Sequence, residues 1–272
     1  MHFIFGMKSG FREVVSVILH ILPGQKVLLG ACYGSGEVFS IAVDPEAVVF
    51  GKILTYQKQG KGEECSFGHT RAHMIRANAQ ETIAISTNIA LDRLYLYRIN
   101  EGKLEDESYF QLPKGIGPRH FVWREDINKI YVVTEYSNEI ILLNAEKSGV
   151  LLLERYLTLQ DDFEGESYGS TLVFSADGKE LYAGNRGEDT IVHFHVSSDG
   201  SLSKAGSYSC GGCWPRDLAL VDHDQFLAVA NQKTNTVQLL PRNSYTGALG
   251  TSAMTIPLAG ASFVSEINGT VK

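Results

Sequence analysis

The chain has 272 residues, of which 44% are hydrophobic and 20% charged, a composition that excludes a disordered protein and is ample for a sizeable core. Its 31 acidic residues outnumber its 24 basic ones and give a formal net charge of -7. Nucleic-acid binding needs a basic face, so we expect no nucleic-acid partner. A small anionic ligand stays compatible, because it senses the local field of a pocket.

The most apolar stretch near the start of the chain runs from Val14 to Leu22 and ends at Pro23 and Gly24. This stretch is too short to span a bilayer, and no small-residue cleavage site follows it. We therefore predict no membrane association and a cytoplasmic protein. Residues 1–13 are expected to be a remnant or disordered segment, and residues 14–272 to form one domain.

The four cysteines are too few and too unevenly spread for a disulfide scaffold, so reduced thiols are expected. One pair, Cys210-Gly-Gly-Cys213, has the spacing of a zinc or redox half-site. No second pair follows it, and no βαβ pattern surrounds it. The sequence therefore predicts neither a metal nor a cofactor. The other two cysteines are Cys32 and Cys65.

Five segments repeat one pattern, a small or polar residue, then a turn, then a strand of alternating apolar residues. The first strand residues lie 56, 46, 51 and 46 positions apart, which matches a four-stranded propeller blade of about 40 to 50 residues. Turns such as Asp177-Gly178 precede them, and Asp-Gly favours hairpins. We predict an all-β fold, a β-propeller with about five blades present. The strand starts are Val38, Leu94, Ile140, Ile191 and Val237.

Positions equivalent by blade symmetry should look alike where structure alone determines them. Six residues before each strand start stand small polar residues such as Asn185, which a turn explains. The position five residues before each strand start differs between the repeats and holds, in different copies, an apolar residue, an acid, a base or an amide. Packing alone does not require this variety. We expect these side chains to converge on the central cavity. They are Tyr33, Ile89, Glu135, Arg186 and Gln232.

One strand earlier lies another position at which the equivalent residues of the repeats differ in chemistry. We call it the second assorted position. Arg119 and Arg216 precede it in two repeats, and each directly follows a proline that orients the entry turn. Such arginines would hold a carboxylate or phosphate, although salt bridges between blades explain them equally well. His193 and His195 share a strand face away from this position and are interpreted as surface or packing residues. The residues at the second position are His73, His120, Thr171 and Asp217.

Several of these segments together resemble the lactonase family of seven-bladed propellers, which includes 6-phosphogluconolactonase and fungal carboxymuconate cyclases. The resemblance runs from about residue 14 to the end and implies that about five of seven blades are present, with the N-terminal ones lost. The segments that carry it are 117–120 (Gly-Pro-Arg-His), 134–136 (Thr-Glu-Tyr), 177–182 (Asp-Gly-Lys-Glu-Leu-Tyr), 185–187 (Asn-Arg-Gly), 215–217 (Pro-Arg-Asp) and 229–232 (Val-Ala-Asn-Gln).

The cyclase branch of the family implies a catalytic set of one His, two Arg and one Glu. The positions that match are His73, Arg119, Glu135 and Arg186. The sequence departs from the family's motifs at residues 70–73 and 88–90 and at Thr171, where the family has a doubled histidine motif, an Asp-Leu-Gly turn and an acid. These departures leave the substrate open.

The resemblance implies hydrolysis of a small anionic sugar lactone, as in the pentose phosphate pathway. Such chemistry needs a base, oxyanion donors and a cation for the anionic tail. We assign the base to Glu135, with a contribution from His73, and oxyanion stabilisation to Arg119 and Arg186. No metal is required. The predicted substrate-binding residues are Arg216, His120, Asn185, Asp217 and Gln232.

Two alternatives stay open from the sequence. The same His, Glu and Arg residues would serve a carboxy-muconate cycloisomerase. An incomplete ring leaves exposed sheet edges, which favours instead a non-catalytic binding scaffold or an inactive fragment. The sequence leaves the oligomeric state open.

Overall fold

The computed structural model describes residues 17–44, 49–60, 68–146 and 149–266, and these residues form strands, turns and one 3-10 turn. Twenty strands lie in the described ranges, arranged as five antiparallel sheets of four strands. Within each sheet the strands follow chain order, so every sheet is a simple meander. The expected segment 1–13 lies outside the described residues. No helix in the described ranges is long and apolar enough to cross a membrane.

The chain divides into two compact units, Met1–Arg119 and His120–Lys272, and each is described by itself. The first unit contains two whole sheets. One sheet consists of β1 (Val17–Leu22), β2 (Val27–Cys32), β3 (Glu37–Asp44) and β4 (Val49–Lys58), and the other of β5 (Ala72–Ala77), β6 (Ile83–Asn88), β7 (Arg93–Asn100) and β8 (Lys103–Gln111).

The second unit contains the other three sheets, and its first strand begins two residues before the boundary. The sheets are β9 (Pro118–Arg124), β10 (Lys129–Thr134), β11 (Glu139–Glu146) and β12 (Gly149–Leu157); then β13 (Tyr168–Phe174), β14 (Glu180–Arg186), β15 (Thr190–Val196) and β16 (Leu202–Ser209); then β17 (Pro215–Val221), β18 (Phe226–Asn231), β19 (Thr236–Pro241) and β20 (Met254–Pro257). A 3-10 turn, Glu125–Ile127, joins β9 to β10.

The repeat predicted from the sequence is present in the structure, with one copy in each of the five sheets. The third strand of each sheet (β3, β7, β11, β15 or β19) begins one residue before the strand start expected from the sequence. The Asp177-Gly178 turn lies between β13 and β14, and Gly178 has φ of +70°, a conformation that glycine adopts without steric cost.

Burial within a sheet depends on strand position. Every residue of the second strand β14 is buried, whereas most residues of the fourth strand β12 are exposed. Side chains such as Tyr131, Leu181 and Phe194 form one core cluster of the second unit. Fully burying one such side chain contributes about 1.5 to 3 kcal/mol, so the inner strands are held firmly in position. Their ends therefore provide rigid support for a site.

Three sheets carry an irregularity in the ladder between their first two strands. The register shifts between Ala72 and Met74, between Gly169 and Leu172, and between Pro215 and Asp217. A β-bulge redirects the side chains of the bulged strand. Two residues of the second assorted position, His73 and Thr171, lie in these bulges.

Candidate active site

Glu135 and Arg186 form a buried ion pair at the ends of two neighbouring second strands. Glu135 directly follows β10, and Arg186 is the last residue of β14. Arg186 Nη2 lies 3.2 Å from Glu135 Oε1, with side chains 6% and 13% exposed. The sequence placed both residues at one symmetric position, and the structure brings their charges together.

Backbone carbonyls fix the guanidinium of Arg186. Its Nε donates to the Tyr168 carbonyl at 3.3 Å, and its Nη2 donates to the Gly169 carbonyl at 2.8 Å. The amide of Gly169 in turn donates to the Glu135 carbonyl. A Cβ at Gly169 would lie 2.2 Å from the Thr134 carbonyl oxygen, so only glycine permits this approach. The two neighbouring sheets are thereby held at the ion pair.

An aromatic surface that the sequence did not single out borders the ion pair. The Arg186 guanidinium carbon lies 5.6 Å from the Trp214 ring and 6.0 Å from the Tyr168 ring. Lys233 Nζ lies 3.3 Å from the Trp214 ring centroid, within cation–π range. A sequence signal was available, because Trp214 stands before Pro215 where the equivalent repeat has a glycine. We call Trp214, Tyr168 and Arg186 the stacking cluster.

Two further predicted residues of the last sheet, Arg216 and Gln232, lie beside Trp214. Arg216 Nη1 donates to Gln232 Oε1 at 3.3 Å, and the Gln232 amide donates to the Trp214 carbonyl. Asp217 Oδ2 accepts the amide of Val264 at 3.1 Å. Arg216 and Gln232 thus meet each other, while Asp217 supports the C-terminal segment. Their substrate-binding roles remain predictions.

His120 and Asn185 have contacts of two different kinds. The His120 Nδ1 and Thr171 Oγ1 atoms are 2.8 Å apart, so two residues of the second assorted position pair with each other. Asn185 is fully buried, and its amide nitrogen contacts the Thr158 carbonyl, Glu188 and Thr190. These contacts support the interpretation of Asn185 as a turn residue. A substrate-binding role for either residue remains a prediction.

The first unit contains the other two predicted catalytic residues. His73 is buried, and its ring meets that of Tyr33 edge-on at 5.9 Å. Arg71 Nη1 donates to the Tyr33 hydroxyl at 2.9 Å. Arg119 is also buried, and its carbonyl accepts the Thr87 hydroxyl. The catalytic roles of His73 and Arg119 remain predictions.

The cysteines of the described residues are free thiols, as expected; Cys65 lies outside these residues. Burial raises the pKa of Cys210 to about 12. The hydrogen bond from Cys213 Sγ to Asp189 raises the pKa of that thiol as well. Raised pKa values disfavour the thiolate that redox chemistry and metal binding require.

Solved structures with this fold were found by comparison. A Pseudomonas aeruginosa periplasmic gluconolactonase, PpgL, superposes with a TM-score of 0.83 at 22% identity, over 90% of this chain and 71% of that one. A protein from Lactobacillus plantarum gives 0.82 at 22% identity, over 91% and 75%. These likenesses concern the fold, a β-propeller whose blades are four-stranded sheets.

The family follows from the sequence comparisons. A family model described as "Lactonase, 7-bladed beta-propeller" matches residues 11–266. A Bacillus subtilis protein named 6-phosphogluconolactonase is 28% identical over 83% of this chain, and an uncharacterized Staphylococcus epidermidis protein is 31% identical over 88%. The chain spans 65% and 71% of the lengths of these relatives. The chain belongs to the lactonase family of seven-bladed β-propellers, and its five sheets are blades of that fold.

Proposed function

We propose that this chain hydrolyses a small anionic sugar lactone at the Glu135–Arg186 ion pair. The observation that carries the proposal is the burial of a carboxylate against a guanidinium at the ends of two inner strands, with an aromatic surface beside them. The Bacillus subtilis relative, named 6-phosphogluconolactonase, supports the choice of a lactone.

Arg186 is suited to stabilise an oxyanion. Its Nε and Nη2 are engaged by carbonyls and by Glu135, which fixes the plane of the guanidinium. Within the described part of the chain, Nη1 makes no hydrogen bond. A preoriented donor of this kind gains strength as negative charge develops on the carbonyl oxygen of the lactone.

Glu135 supplies the base. Its carboxylate accepts a proton from a water molecule, whose oxygen bonds to the lactone carbonyl carbon. The ring C–O bond then breaks, Glu135 returns its proton to the departing ring oxygen, which leaves as a hydroxyl, and the new acid releases its own proton at neutral pH. Arg216, beside Trp214 and Gln232, supplies the cation for a phosphate or carboxylate tail.

The test is the rate of proton release from 6-phosphogluconolactone by the purified chain, corrected for spontaneous hydrolysis. Glu135→Gln keeps the shape of the side chain and removes the base, so we expect kcat to fall about 10²- to 10⁴-fold. Glu139→Gln is the matched control, because Glu139 forms a carboxylate–guanidinium pair with Arg155 in the same sheet. It should leave kcat unchanged.

Two results would overturn the proposal. One is a wild-type chain that adds nothing to the spontaneous rate, which would favour a non-catalytic propeller. The other is an E135Q variant with wild-type kcat, which would remove Glu135 from the reaction.

A further inference from the structure

A second cluster of chemically active side chains lies on β14 and β15, apart from the ion pair. Glu180 Oε2 is 2.6 Å from His193 Nε2 and 2.8 Å from His195 Nδ1. Glu180 and His195 are direct cross-strand partners, and His193 lies two residues before His195 on the same face. One ligand atom from each residue lies within 4.8 Å of the other two.

This cluster combines one carboxyl group with two imidazoles and is mostly buried. The Glu180 side chain is 11% exposed and that of His193 1%, whereas His195 is half-exposed. The nearby cation Arg242 is engaged by the Tyr182 hydroxyl and the Asp224 carbonyl. A buried carboxylate between two imidazoles therefore favours a cation at their centre.

The surroundings hold the three ligand residues in place. Gly247 lies over the cluster without a side chain, and a Cβ there would come 2.6 Å from His193 Nε2. Its carbonyl accepts the Tyr182 hydroxyl, and the Tyr182 ring stacks on His193 at 4.8 Å. His193 Nδ1 is buried without a hydrogen-bond partner among the described residues, so no second bond dictates its tautomer. The ring can present an unprotonated Nε2 to a metal.

We infer that Glu180, His193 and His195 bind a divalent transition metal ion, with zinc as the expected occupant. Two imidazoles and one carboxylate are a typical zinc ligand set, and the exposed side of His195 lets water complete a tetrahedron. Zinc–nitrogen and zinc–oxygen bonds of about 2.0 to 2.2 Å require the three ligand atoms to separate slightly. The bound ion would tie β14 and β15 together beneath the loop that contains Gly247.

The test begins with the full chain stripped by EDTA and titrated with zinc chloride in a calorimeter. We expect saturable binding of one ion, and a melting temperature raised by about 5 °C or more at 100-fold excess over Kd. Magnesium prefers an octahedron of oxygen ligands, so it should neither bind tightly nor raise the melting temperature. H195A removes a half-exposed ligand, and the affinity should fall about tenfold or more.

Two further variants separate this site from the Cys210–Cys213 pair. C213S should bind zinc like the wild type, whose X-ray absorption should show nitrogen and oxygen ligands near 2.0 to 2.1 Å without sulfur near 2.3 Å. H195C should restore binding and add a single sulfur ligand. Unchanged affinity in H195A, sulfur scattering in the wild type, or no saturable binding would each overturn the inference.

Discussion

Trp214 occupies the backbone position that Gly117 occupies in an equivalent repeat. Their φ angles are +68° and +65°, and each precedes a proline that is followed by arginine. The Trp214 amide donates to Asp189 Oδ1 at 2.7 Å, and the Gly117 amide donates to Asp92 Oδ1 at 2.8 Å. A left-handed conformation costs a bulky residue about 1 to 2 kcal/mol, so Trp214 is held there against its own preference.

Such strain at a site suggests that the indole serves the substrate, and W214G tests this. Relief of strain offsets the backbone entropy of glycine and the lost contacts with Lys233 and Tyr168. We expect the free energy of unfolding to change by less than about 1 kcal/mol. The kcat/KM for a lactone should fall about tenfold, mostly through KM, because a stacking surface is lost. Urea unfolding and steady-state kinetics measure the two quantities.

Asn128 provides the matched control for W214G. It has φ of +53° in an exposed turn between β9 and β10, outside the candidate site. N128G introduces glycine at the same left-handed conformation away from the site, where asparagine is well tolerated, and should leave kcat/KM at the wild-type value. If W214G has wild-type kinetics, Trp214 has no part in substrate binding.

Arg186 and Glu135 should act as one unit in kinetics. Lysine at position 186 cannot reach two carbonyls, Glu135 and an oxyanion at once, since it lacks the planar fork of donors. We expect R186K to lower kcat about 10²- to 10³-fold. The E135Q/R186K double variant should lose little more than the worse single variant, because each change alone disables the same step.

The pair of Glu139 and Arg155 allows the corresponding control. Arg155 binds Glu139 through Nε and Nη2 but lies on the fourth strand and is half-exposed. R155K should leave kcat unchanged. Losses from E135Q and R186K that multiply in the double variant would show two independent roles instead.

Gly169 should tolerate no side chain. A Cβ would lie 2.2 Å from the Thr134 carbonyl oxygen and 3.0 Å from Val133 Cγ2, which are held by the sheet. We expect G169A to lower the free energy of unfolding by about 1 to 3 kcal/mol and to displace the carbonyl that binds Arg186. Gly250 is exposed, with its nearest atoms 3.7 Å from a Cβ, so G250A should unfold like the wild type. Equal stability of the two variants in urea would contradict the expected clash at Gly169.

The fold was predictable because it repeats. Strand alternation and turns such as Asp177-Gly178 are local signals, and five copies at similar spacing indicate blades without any knowledge of long-range contacts. The same symmetry exposed Glu135 and Arg186, since an acid and a base at equivalent positions are exceptions to a structural pattern. Their ion pair confirms that these two positions meet.

Other parts of the site could not be predicted because they depend on backbone geometry. A tryptophan before proline is an ordinary aromatic residue until its φ angle is known. The alternation of His193 and His195 placed them on one face correctly, but their meeting with Glu180 depends on the register of β14 against β15. A shift of one residue would turn Glu180 to the opposite face.

Cys213 should be a slow thiol despite its partial exposure. Its hydrogen bond to Asp189 raises its pKa, and since the thiolate is the nucleophile, its reaction with a disulfide reagent should be slow at pH 8 and rise only at higher pH. D189N removes the negative acceptor, so the pKa of Cys213 should fall toward that of an ordinary thiol and the rate at pH 8 should increase.

The measurement requires a C65S background. Because Cys32 and Cys210 are buried, the observed reaction then reports on Cys213. D161N, which changes an exposed acid, should leave the rate unaltered. A fast reaction of wild-type Cys213 at pH 7 would instead favour a redox role for the Cys210–Cys213 pair.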